Sequence, residues 1–371
     1  MLDVSCPWTS AGDQADEVGV NGEAAERGLI QRLNAGPVIC AEGFLFELER
    51  RGYLQAGGFV PEVVLEHPEA LAQVHREFVR AGSDVVEAFT YYGHREKMRL
   101  MGKEELLEPL NHAALDIAWA VAREAEGERP LVAANLCNTN IYHPDGTSDR
   151  TVRAMFEEQV GWAAEHDVDF VIAETFYHLG EAQLALAAIK RARLVAVVTL
   201  ALPAAGELAD GTTVVEAAQA LEQSGADVVG MNCFRGPATM LRHVAEIRKQ
   251  VSCQVAALPV PYRTTEEHAT FFSFTDPAYD AVPGGRPFPT ALEPFLCNRY
   301  EMADFARHAH DLGIRYLGIC CGNSPAHTRA IAEALGRHPP ASRYSPDMSK
   351  HFAFGTDPSL DAETLGIAPR L

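Results

Sequence analysis

Short apolar runs, each closed by a polar or turn-forming residue, recur along the chain about every 35 residues. Eight of them read as strands: VICAEG (38–43), DVVEAF (84–89), LVAANL (131–136), DFVIAET (169–175), LVAVVTL (194–200), DVVGMNC (227–233), QVAALPV (254–260) and RYLGICC (315–321). Their near-continuous apolar character is that of strands buried on both faces of a parallel sheet. Between them the apolar positions recur with helical period, as in 68–82, 151–167 and 213–225, and several of these segments stop at Gly or Asp just before the next strand. Strand–helix alternation repeated eight times predicts a (β/α)8 barrel. An open doubly wound sheet is the competing arrangement. It calls for a Gly-rich phosphate turn after the first strand, and AEGFLFELE (41–49) offers none.

The remaining segments complete the expected organisation. Residues 1–28 form a polar, acidic lead-in, 29–337 the barrel, and 338–371 a short C-terminal extension. The stretch after strand seven, 261–299, is rich in Pro, Gly, Phe and Tyr and lacks helical periodicity. A barrel loop of that length is expected to cover a substrate.

Composition narrows the function classes. The chain has 371 residues, 47% of them hydrophobic, which excludes disorder as its main state. A formal charge of −20 at pH 7, with no local basic patch, argues against nucleic-acid or anionic-membrane partners. The first thirty residues have neither a basic nor an apolar leader region, and no stretch approaches a membrane span. Eight Cys are too sparse for a disulfide scaffold, so reduced thiols and a cytoplasmic location are expected.

In a barrel of this kind the chemistry sits at the C-terminal strand ends. Those ends carry Glu42; Glu87 with Thr90 and Tyr92; Asn135 with Cys137; Glu174 with Thr175; Thr199; Asn232 with Cys233; Pro259; and Cys320 with Cys321. Cys233, Cys320 and Cys321 can therefore converge on one point. Three thiolates around one point describe a Zn²⁺ site with an open fourth position, where an incoming thiol would lose its proton. Cys40, Cys137, Cys253 and Cys297 are read as small core residues instead.

The runs GMNC (230–233) and GICCG (318–322) resemble the zinc signature of the homocysteine S-methyltransferase family. Segments 43–93 and 291–335 resemble its betaine–homocysteine branch in particular, and the likeness extends over roughly 30–340. The resemblance implies a zinc barrel in which homocysteine binds through sulfur and receives a methyl group from an onium compound, forming methionine. It implies Cys233, Cys320 and Cys321 as zinc ligands and Glu174 as partner of the homocysteine ammonium. Gly43 and Phe44, with Glu42, frame the amino-acid end; Asn232 belongs to the same substrate site. Phe59 and Tyr92 fall in the methyl-donor pocket.

Three departures bear on the donor. The branch reads Asp-Gly-Gly before the Phe of strand one, where this chain has Ala41-Glu42-Gly43. Thr175 stands where the branch has a Tyr associated with the zinc. Phe59 replaces a Trp, which weakens a cation–π wall. Homocysteine stays the expected acceptor, while the donor is open between glycine betaine or a related betaine and a sulfonium such as S-methylmethionine or a dimethylsulfonio compound. A non-catalytic onium sensor is the reading from another class.

Among the aromatics near the barrel mouth, Phe59 and Tyr92 are expected to form the cage. Phe44, Tyr91, Phe176, Phe271, Phe272, Phe274 and Tyr279 are expected mostly to pack loops. Tyr177 replaces an acid of the branch and would offer a π face if it points inward. No general base is required, so His75, His94 and His178 are read as surface or supporting groups. The long C-terminal extension by which the betaine branch oligomerises is shortened here, with 339–355 keeping fragments that resemble it, so the resemblance implies a homo-oligomer that is a dimer before a tetramer.

Overall fold

The computed structural model describes residues 28–276 and 285–371. Eight parallel strands close into a barrel in sequence order. They are β1 (Val38–Ala41), β2 (Val85–Glu87), β3 (Leu131–Cys137), β4 (Phe170–Phe176), β5 (Ala196–Leu200), β6 (Val228–Asn232), β7 (Gln254–Leu258) and β8 (Tyr316–Ile319). The seam pairs β1 with β8 from Val38↔Tyr316 to Ala41↔Ile319. The open-sheet alternative is thereby excluded, and all eight predicted strands are present.

The helices lie where the 3.6-residue period places them. The predicted 68–82 helix spans Pro68–Ala81, with Pro at its start, where a missing N–H costs nothing, and Gly82 at its stop. It buries Leu71, Val74 and Phe78, each worth roughly 1.5–3 kcal/mol relative to exposure. The 213–225 helix spans Val214–Gln223 behind a reciprocal capping box between Thr213 and Glu216. The 151–167 helix runs Asp149–Glu165, beginning two residues early.

Alternation along the strands decides what fills the lumen. Val38 and Cys40, Leu131 and Ala133, Phe170 and Ile172, and Ala256 and Leu258 belong to one buried apolar cluster, to which Leu29 and Leu33 of the helix Leu29–Ala35 are added. Continuing the same period-two rows by one step reaches Glu42, Asn135 and Glu174. The barrel is thus apolar through most of its depth and polar in its last layer.

After β7 the chain holds 3₁₀ turns at Phe271–Ser273 and Glu293–Phe295 and an antiparallel bridge from Tyr262 to Leu296, as its lack of helical period predicts. Residue Tyr279 and nearly all of the acidic lead-in lie outside the described residues. Among the described residues, no helix is long and apolar enough to cross a membrane.

Candidate active site

Five strands end earlier than their apolar runs suggest, and at three of them, β1, β6 and β8, the backbone turns to aim side chains. β1 stops at Ala41, after which Gly43 adopts φ +91 and opens the helix Phe44–Arg50. A Cβ at Gly43 would lie 2.6 Å from the Cys320 carbonyl oxygen, so both the conformation and the space call for glycine. β6 stops at Asn232, and Cys233 and Phe234 take φ +54 and +52. β8 stops at Ile319, which places Cys320 and Cys321 in the following turn.

Of the eight described non-glycine residues with positive φ, six surround one cavity: Phe59, Tyr92, Asn140, Thr175, Cys233 and Phe234. Such conformations are costly for residues with a Cβ, Thr above all, and their concentration marks a functional region.

The three sequence-predicted thiols meet. Cys233 Sγ lies 3.8 Å from Cys321 Sγ, and Cys320 Sγ 3.9 Å from Cys321 Sγ. All three sulfurs fall within 4.8 Å of one another, and none is in a disulfide. Tetrahedral zinc with Zn–S bonds of about 2.3 Å requires sulfurs about 3.8 Å apart, so the donor set fits that ion. Burial and the adjacent Cys233 hold the Cys320 thiol well above its ordinary pKa, the condition a bound cation would reverse.

Beside the thiols lies a floor of buried carboxylates. Asn135 Nδ2 donates to Glu87 Oε1 and Glu174 Oε1, both at 2.5 Å. The other Glu174 oxygen accepts from Asn232 Nδ2 and, at 3.1 Å, from Thr175 Oγ1. Asn232 Oδ1 accepts from the Thr175 backbone N–H at 2.9 Å and from Thr199 Oγ1 at 3.0 Å. Both oxygens of Glu42, and Asn135 Oδ1, are buried with no hydrogen-bond partner in the protein. These orphaned atoms are all oxygens, so the pocket holds hydrogen-bonding capacity that no protein group uses.

Burial raises the Glu174 carboxyl to about 7, against the opposing hydrogen bonds from Asn135 and Thr175. Glu42 and Glu87 are pushed well up by burial and by the carboxylates next to them. The pocket is lined by Glu42, Gly43, Phe44, Glu87, Glu174 and Cys320, with Cys321 at its edge.

Cys321 also lines the second cavity, the one ringed by strained backbone. Its walls include Phe59, Tyr92 and Tyr177, together with Phe234 and Lys97. Phe271 and Phe272, expected to pack loops, line this cavity as well, with Phe46 and Phe288 beside them. Phe44, Phe176 and Phe274 do pack internally: Phe44 meets Phe78 and Phe89, Phe176 meets Phe156, and Phe274 stacks on Phe295 at 4.3 Å.

Of the two positions expected for the histidines, His75 and His94 take the supporting one: both are buried. His75 packs edge-on against Phe44 with ring centroids 4.7 Å apart, and burial holds its imidazole down to about 3. His94 accepts from the Lys97 N–H and so caps the helix Arg95–Met101. His178 is half-buried between Tyr142 and Tyr177 and is absent from the lining of either cavity.

The chain belongs to the homocysteine S-methyltransferase family, whose profile matches residues 39–335, and it is an S-methyltransferase of that family. Its curated relatives include betaine–homocysteine S-methyltransferase 1 of Xenopus tropicalis, 37% identical over 90% of this chain and 81% of that one. The enzyme of the same name from Rattus norvegicus is 37% identical over 93% of this chain and 83% of its own. An S-methylmethionine–homocysteine S-methyltransferase of Pongo abelii is 36% identical, covering 92% and 89%. Among solved structures, the metallated form of the Escherichia coli homocysteine methyltransferase MmuM superposes with a TM-score of 0.63 at 18% identity, over 80% of this chain and 95% of that one; it shares the fold.

Sequence reasoning placed Glu87, Asn135 and Thr199 at strand ends without a role. Their signal was the period-two row that ends in each of them. Lys97 and Asn138 went unnoticed because they sit on loops and a short helix, where no period assigns a direction.

Proposed function

We propose that the protein transfers a methyl group from an onium donor, glycine betaine or a related betaine, to the thiol of homocysteine, forming methionine with the aid of zinc held by Cys233, Cys320 and Cys321. The observation that carries this reading is the position of Cys321. It lines both the carboxylate pocket and the aromatic cavity, so a sulfur held there faces an amino-acid site on one side and a cation site on the other.

Zinc, when bound, would keep the acceptor sulfur as an electron-rich thiolate at neutral pH. The rest falls to the chain's own residues. Glu42 offers two unpartnered oxygens to the homocysteine ammonium, and Glu174 supports it from the opposite strand end. Asn135 and Asn232 fix the Glu174 carboxylate so that it cannot turn away. Phe59, Tyr92 and Tyr177 present π faces to the cationic donor, and the apolar wall excludes water where thiolate and onium charges cancel. Holding both substrates in line can remove roughly 7–11 kcal/mol of the barrier.

A sulfonium donor is the second reading, favoured by Phe59 in place of the stronger Trp wall and by the S-methylmethionine-dependent relative. The exposed Tyr344, Met348, Phe352 and Phe354 of the C-terminal segment support assembly into a dimer. The experiment is metal analysis of the purified protein together with a donor panel of glycine betaine, dimethylglycine, proline betaine, dimethylsulfonioacetate and S-methylmethionine. One zinc per chain and methionine from at least one donor are expected. A metal-free active protein, or a zinc protein inert toward every donor, would overturn the reading.

A further inference from the structure

One side chain of the aromatic cavity is out of keeping with a site for a cation. Among the described lining residues, the single charged one is Lys97, and its Nζ stands 4.5 Å from the centroid of the Tyr92 ring. It is held there by construction. His94 caps the helix Arg95–Met101 through the Lys97 N–H, and this puts Lys97 on the first turn at the cavity wall. The neighbouring acid Glu96 is engaged by Arg99, and among the described residues no carboxylate lies within ion-pair distance of Lys97.

The consequence is a matter of charge. A bare onium entering the cavity would meet a like charge on the very ring it needs, and the two would repel. A donor that carries its own carboxylate would not. The lysine stem is flexible, so the ammonium can leave the ring to the incoming onium and pair with the carboxylate attached to it. The cavity's other donors, such as Asn140 and the tyrosine hydroxyls, are neutral, and Asn138 Nδ2 is already committed to the Thr175 carbonyl, so Lys97 is the one cation that the described lining offers to that carboxylate.

Resting on the methyl-transfer reading above, we propose that Lys97 is a specificity-determining residue that selects zwitterionic donors, onium compounds bearing a carboxylate, over simple cations. The Tyr92 face is held by Lys97 in the empty cavity and passes to the donor's methylonium group when the carboxylate draws the ammonium aside.

The test compares a matched pair of sulfonium donors, dimethylsulfonioacetate with its carboxylate and trimethylsulfonium without one, as kcat/KM for methionine formation by wild type, Lys97→Met and Lys97→Arg. Wild type is expected to favour dimethylsulfonioacetate, and Lys97→Met to shrink that preference about ten- to a hundredfold, the range of a charge-assisted hydrogen bond. Most of the loss should appear in KM, and Lys97→Arg, which keeps the charge, should restore most of the preference. An unchanged ratio in Lys97→Met overturns the proposal. If wild type forms methionine from none of the donors tested, the methyl-transfer reading is the one that fails. Lys97 is then judged by binding: glycine betaine titrated against intrinsic fluorescence should bind wild type more tightly than Lys97→Met by the same factor, and equal affinities refute the assignment. Thermal melting of each variant separates either result from misfolding.

Discussion

Cys233 and Cys321 bring their sulfurs to within 3.8 Å across 88 positions of sequence, and Cys233 does so from a left-handed backbone. Two thiols at that distance without a bond between them, joined by a third, match the edge of a tetrahedral thiolate site.

Replacing one of them should therefore remove the metal. Cys321→Ser is expected to purify with well under one zinc per chain and to form methionine at least about a hundredfold more slowly, since even indirect partners of a metal contribute about 10–100-fold. Elemental analysis and a methionine assay decide it. Full zinc occupancy in the variant would remove Cys321 from the ligand set.

Gly43 couples the first strand to the last. Gly43→Ala would drive a methyl group against the Cys320 carbonyl and force an alanine to φ +91, at a cost of roughly 1–3 kcal/mol. Reduced thermal stability and faster loss of zinc to a chelator are expected. Gly36→Ala is the control: that backbone is extended and nothing lies within 4 Å of the added Cβ, so its melting point should hold or rise.

Acid sensitivity should trace in part to His75. Its imidazole is held down to about 3 by burial and by Arg76, against an ordinary 6.5. Between these values the unfolded chain binds a proton that the folded chain refuses, so stability is complete above pH 6.5 and falls as pH drops toward 3. Lowering pH from 6.5 to 5 should cost on the order of 2 kcal/mol through this residue. Urea unfolding of wild type and His75→Leu at pH 7 and pH 5 checks this. The leucine variant also removes the unpartnered Nε2 and should lose less stability in acid; equal losses would exonerate His75.

Phe59 borders the aromatic cavity and lies 6.2 Å from Phe46, ring to ring. Phe59→Trp enlarges the π face and should lower the KM for an onium donor by about two- to tenfold, the difference that a stronger cation–π contact supplies. A higher KM would mean that the ring packs the loop and does not touch the donor.

The strands were legible because a barrel strand buried on both faces announces itself as an apolar run, and the three cysteines because they close two such runs. Glu87 and Asn135 were equally exposed to the same reading, one period-two step beyond Val85 and Ala133, yet their partnership with Glu174 depends on three separate strands. For His75 the surface and supporting positions stayed open because residue type favours the surface, whereas helix position decides: it lies four residues from Leu71 and three from Phe78, which turns it inward. Lys97 was invisible for the opposite reason, since its direction is set by a cap contributed by His94 and not by any repeat.

The seam of the barrel also dates the site during synthesis. Glu42 follows the first strand, Cys320 and Cys321 follow the last, and Ala41 pairs with Ile319. A nascent chain therefore cannot bring the three thiols together until nearly all of the barrel has left the ribosome. Assembly of the thiol triad thus reports on closure: a chain cut before β8 lacks Cys320 and Cys321, and one whose β1–β8 seam is open parts Glu42 from them.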